Sequence, residues 1–248
     1  MSLAALRPDW PAHRRVRALA TTRQGGVSPT PFDSLNLGTH VGDCTERVVA
    51  NRGQLAAQLE GAAPVWLEQV HGTAVQRITG ELREPPLADA SWTDQPGIAC
   101  TVLSADCLPV IVADRGGTVV GAAHCGWRGL CDGVLGRLVD ALPVAATELI
   151  AWLGAGISAT HYEVGDDVLD AFCNRSGNAA REIGFARNPA GRYQCDLVAL
   201  ARWSLQQRGV GEVFGGNLCS FADPRFYSYR RDGRCGRMAT LIWLEFRE

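Results

Sequence analysis

The sequence predicts an α+β fold, and three observations lead there. Several segments repeat apolar residues at helical spacing, with capping or stop residues at their ends. Others are short apolar runs rich in β-branched residues, as buried strands are. The two kinds are mixed along the chain without the regular strand–helix alternation of a doubly wound sheet. A single domain is expected over 1–248, since no linker-like or low-complexity stretch divides the chain. At 46% hydrophobic residues it can bury a sizeable core.

The first helix is expected to open on the capping-box-like Asp43-Cys-Thr-Glu46, carry Val48, Leu55 and Leu59 near one face, and stop at Gly61. Apolar runs at 98–103, 109–113, 118–123, 149–153, 212–214 and 240–246 predict strands. Asp114-Arg-Gly-Gly117 between the second and third run reads as a hairpin turn, so those two strands should pair antiparallel. A helix over 129–142 follows from Leu130, Val134, Leu138 and Leu142, and ends before Pro143. A short helix is expected over 166–173. A longer one over 196–208 places Leu197, Leu200, Ala201, Ser204 and Leu205 at helical spacing before Gly209, a good residue to follow a helix end.

Composition removes several function classes. A formal charge of −2 and a pI near 6.2 lack the basic stripe that nucleic acids or anionic membranes require. The first ten residues have neither a basic n-region nor an apolar stretch of about seven residues, and no apolar run approaches about 20 residues. A cytoplasmic protein is the expectation. Nine cysteines at irregular spacing fit reduced, buried thiols better than a disulfide framework. All 24 basic residues are arginine. Without lysine there is no Schiff-base chemistry and no P-loop, so any anion site must use arginine and backbone N–H groups.

Three residues stand where chemistry is expected. His71 lies in Glu68-Gln-Val-His-Gly72, where the glycine implies a turn after an extended run from Val65. Cys107 lies in Ser104-Ala-Asp-Cys-Leu-Pro109, between two apolar strands. His124 ends a strand and opens Cys-Gly-Trp-Arg-Gly129 before a helix. The 114–117 hairpin returns the chain so that His124 can approach Cys107. Two imidazoles and a thiolate suit zinc, and three protein ligands leave the open position typical of a catalytic rather than a structural site. The same atoms allow a metal-free reading, with Cys107 as nucleophile and His124 as base, oriented by Asp106 or another carboxylate. Cys107 as an inert buried thiol is the third possibility.

Among the other histidines, His13 and His161 read as solvated surface, and His40 is a further candidate to line a site. Thr22-Arg-Gln-Gly-Gly-Val-Ser28 looks like an anion cradle, in which glycines turn N–H groups inward beside Arg23. The arginine-dense loop 229–237 reads as solvated surface. Gly154-Ala-Gly-Ile-Ser-Ala159 follows a strand but precedes no helix pattern, so a dinucleotide loop is rejected.

Taken in order, Thr21-Thr-Arg-Gln-Gly-Gly-Val-Ser28, Ser34-Leu-Asn-Leu-Gly38, Val41-Gly-Asp43, Gln69-Val-His-Gly72, Ala88-Asp-Ala90, Ala105-Asp-Cys-Leu-Pro109, His124-Cys-Gly-Trp-Arg-Gly129 and Phe226-Tyr-Ser-Tyr-Arg-Arg-Asp-Gly233 resemble the YfiH-like laccase-domain family. The resemblance runs from about residue 19 to 248. It implies a single-domain α/β/β/α sandwich with mixed sheets, similar to the catalytic domain of cytotoxic necrotizing factor. It also implies a zinc site on His71, Cys107 and His124, with copper as an occasional occupant. The implied activity is purine nucleoside phosphorolysis of adenosine, inosine and 5′-methylthioadenosine, with adenosine deamination beside it. The expected partners are therefore a small nucleoside and inorganic phosphate, with Arg23, Asn36 and Arg128 as candidate substrate-binding residues.

The main alternative is a cytoplasmic amidase editing peptidoglycan precursors. A multicopper polyphenol oxidase is disfavoured, because five histidines are too few for a blue-copper site plus a trinuclear cluster. Cys125, where the family usually has alanine, adjoins a ligand position and raises the question of which sulfur binds.

Overall fold

The computed structural model describes residues 3–80 and 82–246. Met1 and Ser2, which open the N-terminal stretch discussed above, lie outside the described residues, as do Glu81, Arg247 and Glu248. The first half contains β1 (Ala5–Leu6), β2 (Val16–Thr21), α1 (Thr45–Ala56), β3 (Ala63–Val65), β4 (Val75–Arg77), β5 (Ala90–Thr93), β6 (Ile98–Ser104), β7 (Leu108–Asp114) and β8 (Val120–Cys125). After it come α2 (Trp127–Asp132), α3 (Val134–Ala141), β9 (Leu149–Leu153), β10 (Glu163–Val164), α4 (Asp166–Ser176), α5 (Asn178–Gly184) and β11 (Phe185–Arg187). The last part holds β12 (Tyr193–Cys195), α6 (Leu197–Gln207), β13 (Glu212–Gly215), α7 (Tyr229–Asp232) and β14 (Met238–Leu244).

The strands form two main mixed sheets, ordered β1-β2-β14-β6-β3 and β13-β9-β7-β8-β5-β4, and a small β10-β12-β11 sheet. Alternation along each strand shows how the layers stack. In β7, Ile111 and Ala113 pack with Val16, Ala18, Cys100, Val102 and Ile242 of the other sheet. Their neighbours Leu108, Val110 and Val112 face Leu130, Leu135 and Leu138 of the helical layer. On the far side, Ala99, Leu103, Leu241 and Trp243 pack against Leu55 and the nearby Leu59. The order is helix, sheet, sheet, helix, with both faces of each main sheet buried. This explains why the central strands read as continuous apolar runs rather than alternating ones.

Most predicted elements form, with corrections at their ends. The hairpin pairs as expected, Ile111 opposite Ala122 and Ala113 opposite Val120. Asp114 closes its turn by accepting the N–H groups of Thr118 (2.6 Å) and Val119 (2.8 Å). The strand predicted over 118–123 is displaced to Val120–Cys125, because this turn consumes Thr118 and Val119. The 129–142 helix is two helices, since Gly133 takes φ 94° and interrupts the ladder. The first helix ends at Ala56, before the expected Gly61, and is followed by a turn with Glu60 and Gly61 at positive φ.

Its capping box does not form either. The Asp43 carboxylate instead accepts from Ser28 Oγ (2.7 Å) and Asn36 Nδ2 (2.9 Å). Asp196 does cap α6, accepting the Ala199 N–H at 2.9 Å. Sequence patterning missed β2, where Arg17 interrupts the apolar run, and α5, which carries no long apolar stripe.

Candidate metal centre

His71, Cys107 and His124 come from three different segments: Cys107 and His124 stand at strand ends, whereas His71, expected at one too, lies in the loop between β3 and β4. Three residues separate β6 from β7, and Asp106 makes the reversal at φ 95°. That backbone is locked from several sides. The Asp106 carboxylate accepts from Ser220 Oγ and the Arg230 N–H, both at 2.7 Å, while its carbonyl accepts the Ile157 N–H at 2.8 Å. Cys107 follows at once. His124 sits near the end of β8, opposite Pro109, so the hairpin register brings it beside Cys107. His71 lies beyond the bridge between Glu68 and Leu87, at φ 59°.

One buried carboxylate organises both histidines. Asp89 accepts the backbone N–H groups of Val70 (3.1 Å), His71 (3.0 Å) and Gly72 (2.7 Å), holding the strained turn. It also accepts from His124 Nδ1 at 2.9 Å, which leaves Nε2 as the lone-pair nitrogen. Burial alone would raise the Asp89 pKa, but the His124 ring and the turn's N–H groups bring it below the ordinary carboxylate value. Of the orienting carboxylates expected, Asp106 or another, it is another, Asp89, that bonds His124. The only sequence signal for it was Ala88-Asp-Ala90 in the ordered set of motifs.

The donor atoms of His71, Cys107 and His124 all lie within 4.8 Å of one another. The two rings meet edge to face with centroids 4.8 Å apart. Gly126 has no room for a side chain, because a Cβ there would stand 2.5 Å from His71 Nδ1 and 3.0 Å from Cys107 Sγ. A Cβ on Gly129 would stand 2.8 Å from the Gly72 carbonyl oxygen. Both glycines of the Cys-Gly-Trp-Arg-Gly run therefore serve close approach of the loops.

Burial would push the Cys107 thiol up, yet His124 and then His71 outweigh it and bring it down to about 6. Burial would likewise lower His124, but Cys107 and Asp89 raise it to about 9. Two nitrogens and a polarised sulfur gathered at one point are a donor set that fits a borderline-soft divalent metal such as zinc. Cys125 is excluded from the set by its direction. Its sulfur is fully buried in the helical-side core, and burial holds its thiol well above the ordinary value.

The three donors line a cavity of about 610 Å³, together with His40, Gln69, Trp127, Arg128, Tyr162, Tyr229, Arg230 and Arg237. Gln69 is fixed by its amide, which donates to the Leu103 carbonyl (2.9 Å) and accepts the Leu103 N–H (2.7 Å). Arg128 lies over the Trp127 ring at 4.3 Å, and Arg230 over Tyr162 at 5.2 Å. The arginine-dense loop expected to be surface thus sends Arg230 and Arg237 to the cavity. Arg231 turns away instead, donating to the carbonyls of Ser220 and Phe221. His13 and His161, expected on the surface, are partly buried, the latter stacked on Phe221 at 4.5 Å.

Two candidate substrate residues are not in this cavity. Arg23 donates from Nε to the Asp33 carbonyl (2.8 Å), pairs with the Asp33 carboxylate (3.1 Å) and Asp232 (3.6 Å), and lies over the Tyr227 ring. The N–H groups of Gly25 and Gly26 donate to Ser34 Oγ, and that of Val27 to Asn51 Oδ1. The expected anion cradle is therefore closed on its own protein. Asn36 is fully buried. It binds Gly38, Asp43 and the Arg237 N–H, so it shapes a loop rather than meeting a ligand.

Comparison with known proteins identifies similar chains. A Pseudomonas aeruginosa protein named purine nucleoside phosphorylase is 51% identical over 243 residues, covering 98% of this chain and 99% of that protein. The Escherichia coli protein named purine nucleoside phosphorylase YfiH is 46% identical over 239 residues, covering 96% and 97%. A crystal structure of a Neisseria meningitidis protein superposes with a TM-score of 0.94 at 48% identity, covering 98% of this chain and 99% of that one. A crystal structure of YlmD from Geobacillus stearothermophilus superposes with a TM-score of 0.88 at 31% identity, covering 98% and 96%. Residues 17–245 match the family described as multi-copper polyphenol oxidoreductase laccase, and the chain belongs to that family, the YfiH-like laccase-domain proteins.

Proposed function

We propose that this protein is a zinc-dependent purine nucleoside phosphorylase acting on adenosine, inosine and 5′-methylthioadenosine, with adenosine deamination as a second activity, in the cytoplasm. The single observation that supports it most is the convergence of His71, Cys107 and His124 in a cavity that also presents arginines and aromatic rings. The names of the Pseudomonas aeruginosa and Escherichia coli relatives point the same way.

Zinc held by these three side chains would supply Lewis acidity with one position left for an exchangeable ligand. The chain's own residues do the rest. Asp89 keeps the His71 turn and the His124 tautomer fixed, so neither donor must reorganise on binding. Arg128 is exposed toward the cavity and backed by Trp127, so it is the guanidinium we assign to phosphate in place of Arg23. Tyr162 and Tyr229 offer ring faces against which a purine can stack.

The reading is tested by incubating zinc-loaded protein with adenosine, with and without phosphate. Adenine plus ribose 1-phosphate is the expected product pair when phosphate is present. Inosine formed without phosphate reports deamination, and no turnover of any of the three nucleosides overturns the reading.

A second reading rests on a specific contact. The chain of Asp89, His124 and Cys107 is also that of a thiol hydrolase, as the amidase alternative requires. His71 has no part in that mechanism, which favours the metal. Release of an amino acid from a muramyl peptide by chelator-treated protein would reverse the ranking. A multicopper oxidase is disfavoured by the ligand inventory, since His71, Cys107 and His124 are the one metal-competent group among the described residues.

A further inference from the structure

We infer that His40 is the proton-transfer group of this cavity, relaying a proton from phosphate to the departing purine. The inference rests on the phosphorylase reading above. His40 lines the same cavity as His71, Cys107 and His124, but belongs to a different loop and is not one of the three donors.

That loop is built to hold its tip in place. Buried Asn36 binds the Gly38 N–H (2.9 Å) and carbonyl (3.1 Å) before the tip. Arg52 from α1 donates to the Leu37 carbonyl at 2.9 Å. Beyond the tip, Arg234 donates to the carbonyls of Val41 (3.3 Å) and Gly42 (2.7 Å). So many side chains spent on so short a loop, with an accessible imidazole at its tip, is the pattern of a positioned functional group.

The state of the ring suits the task. Burial, then the charges of Arg237 and Arg52, lower the His40 pKa, with no hydrogen bond among the causes. These arginines, from the segment before β14 and from α1, together with His124 of β8, are the charged or titratable groups that act on it. The ring is accordingly neutral near pH 7, with one nitrogen accepting and the other donating.

In phosphorolysis, a monobasic phosphate oxygen forms the bond to C1′ while the C1′–N9 bond breaks and its electron pair leaves with the purine. The phosphate gives one proton to the accepting nitrogen of His40, and the donating nitrogen gives one to a purine ring nitrogen. No net proton is gained or lost. The ring, now in its other tautomer, resets by exchange with solvent.

The test compares His40→Ala and His40→Gln with wild type, each zinc-loaded, measuring kcat and KM for inosine, zinc content and Tm. General acid–base groups contribute about 10²–10⁴-fold. Loss of kcat in that range is expected in both variants, with KM, zinc content and Tm nearly unchanged. The acidic limb of the wild-type kcat/KM profile, where a protonated His40 no longer accepts, should also vanish in both. A kcat loss smaller than about 100-fold in either variant, below that range, overturns the inference while leaving the phosphorylase reading standing. Failure of wild type to form ribose 1-phosphate overturns the reading, and the inference with it.

Discussion

Two loop regions of this molecule look alike in sequence and are opposite in use. The 22–28 loop and the 124–129 segment both combine glycines with an arginine near a strand end, and the latter works with 104–109, whose turn is made by Asp106. In the first, every polar group traced goes inward: Arg23 to Asp33 and Asp232, the glycine N–H groups to Ser34, and Asn51 to Ser28 and the Asn36 carbonyl. In the second, the hydrogen bonds of Asp89 and Asp106 are spent on holding backbone, and the side chains they aim are left facing a cavity. The difference teaches that a polar loop becomes a site through the donors and ligands it leaves over. Composition reports both kinds equally.

The comparison breaks most sharply at the donors themselves. Cys107→Ser and His71→Ala should each reduce bound zinc to near none and lower phosphorolysis by more than the about 10–100-fold typical of outer-shell changes, checked by metal analysis and product assay. Retained zinc in either variant would put the centre elsewhere. One step smaller, Asp89→Asn removes the acceptor shared by the His71 turn and the His124 ring. Metal affinity should fall about 10–100-fold, measured by competition with a chelating dye.

The arginines sharpen the contrast further. Arg128→Ala should raise the phosphate KM about tenfold or more, the loss of a hydrogen bond to a charged group. Arg23→Ala should leave that KM nearly unchanged and lower stability by about 1 kcal/mol, as the solvent-accessible Asp33 and Asp232 carboxylates and the Asp33 carbonyl lose their donor. A steady-state phosphate titration and a denaturant melt on both variants separate the two regions. An effect of Arg23→Ala on phosphate KM matching that of Arg128→Ala would erase the distinction.

The smallest effect is in pH. Cys107, lowered to about 6, contributes stability as thiolate that is lost as pH falls through about 6. His124, raised to about 9, contributes stability as imidazolium that is lost as pH rises through about 9. The two windows overlap with opposite signs, so the Tm of metal-free protein should change little between about 6 and about 9, whereas Cys107→Ser leaves only the His124 limb and its Tm should fall as pH rises through that range. Cys100, pushed up to about 12 by burial, adds a limb only on the alkaline side, where stability is lost as pH rises from about 9 toward about 12.

Sequence alone determined the fold class, the central hairpin and the main α6 helix, because each depends on local periodicity or on neighbours a few residues apart. The three donors were legible only as a pattern of strand-end positions and ordered motifs. Their spacing of 71, 107 and 124 carries no local signature.

What tertiary structure decided is where each polar group spends its hydrogen bonds. It kept Arg23 and Asn36 out of the cavity, set Asp89 behind two of the donors, brought in Arg230 and Arg237, and turned Cys125 into the core while leaving Cys107 at the cavity. A side chain's partners come from segments far away in the chain, and the same arginine is a clamp or a ligand-binding group according to which carboxylate reaches it first. That information appears only when the two sheets have packed and their loops have met.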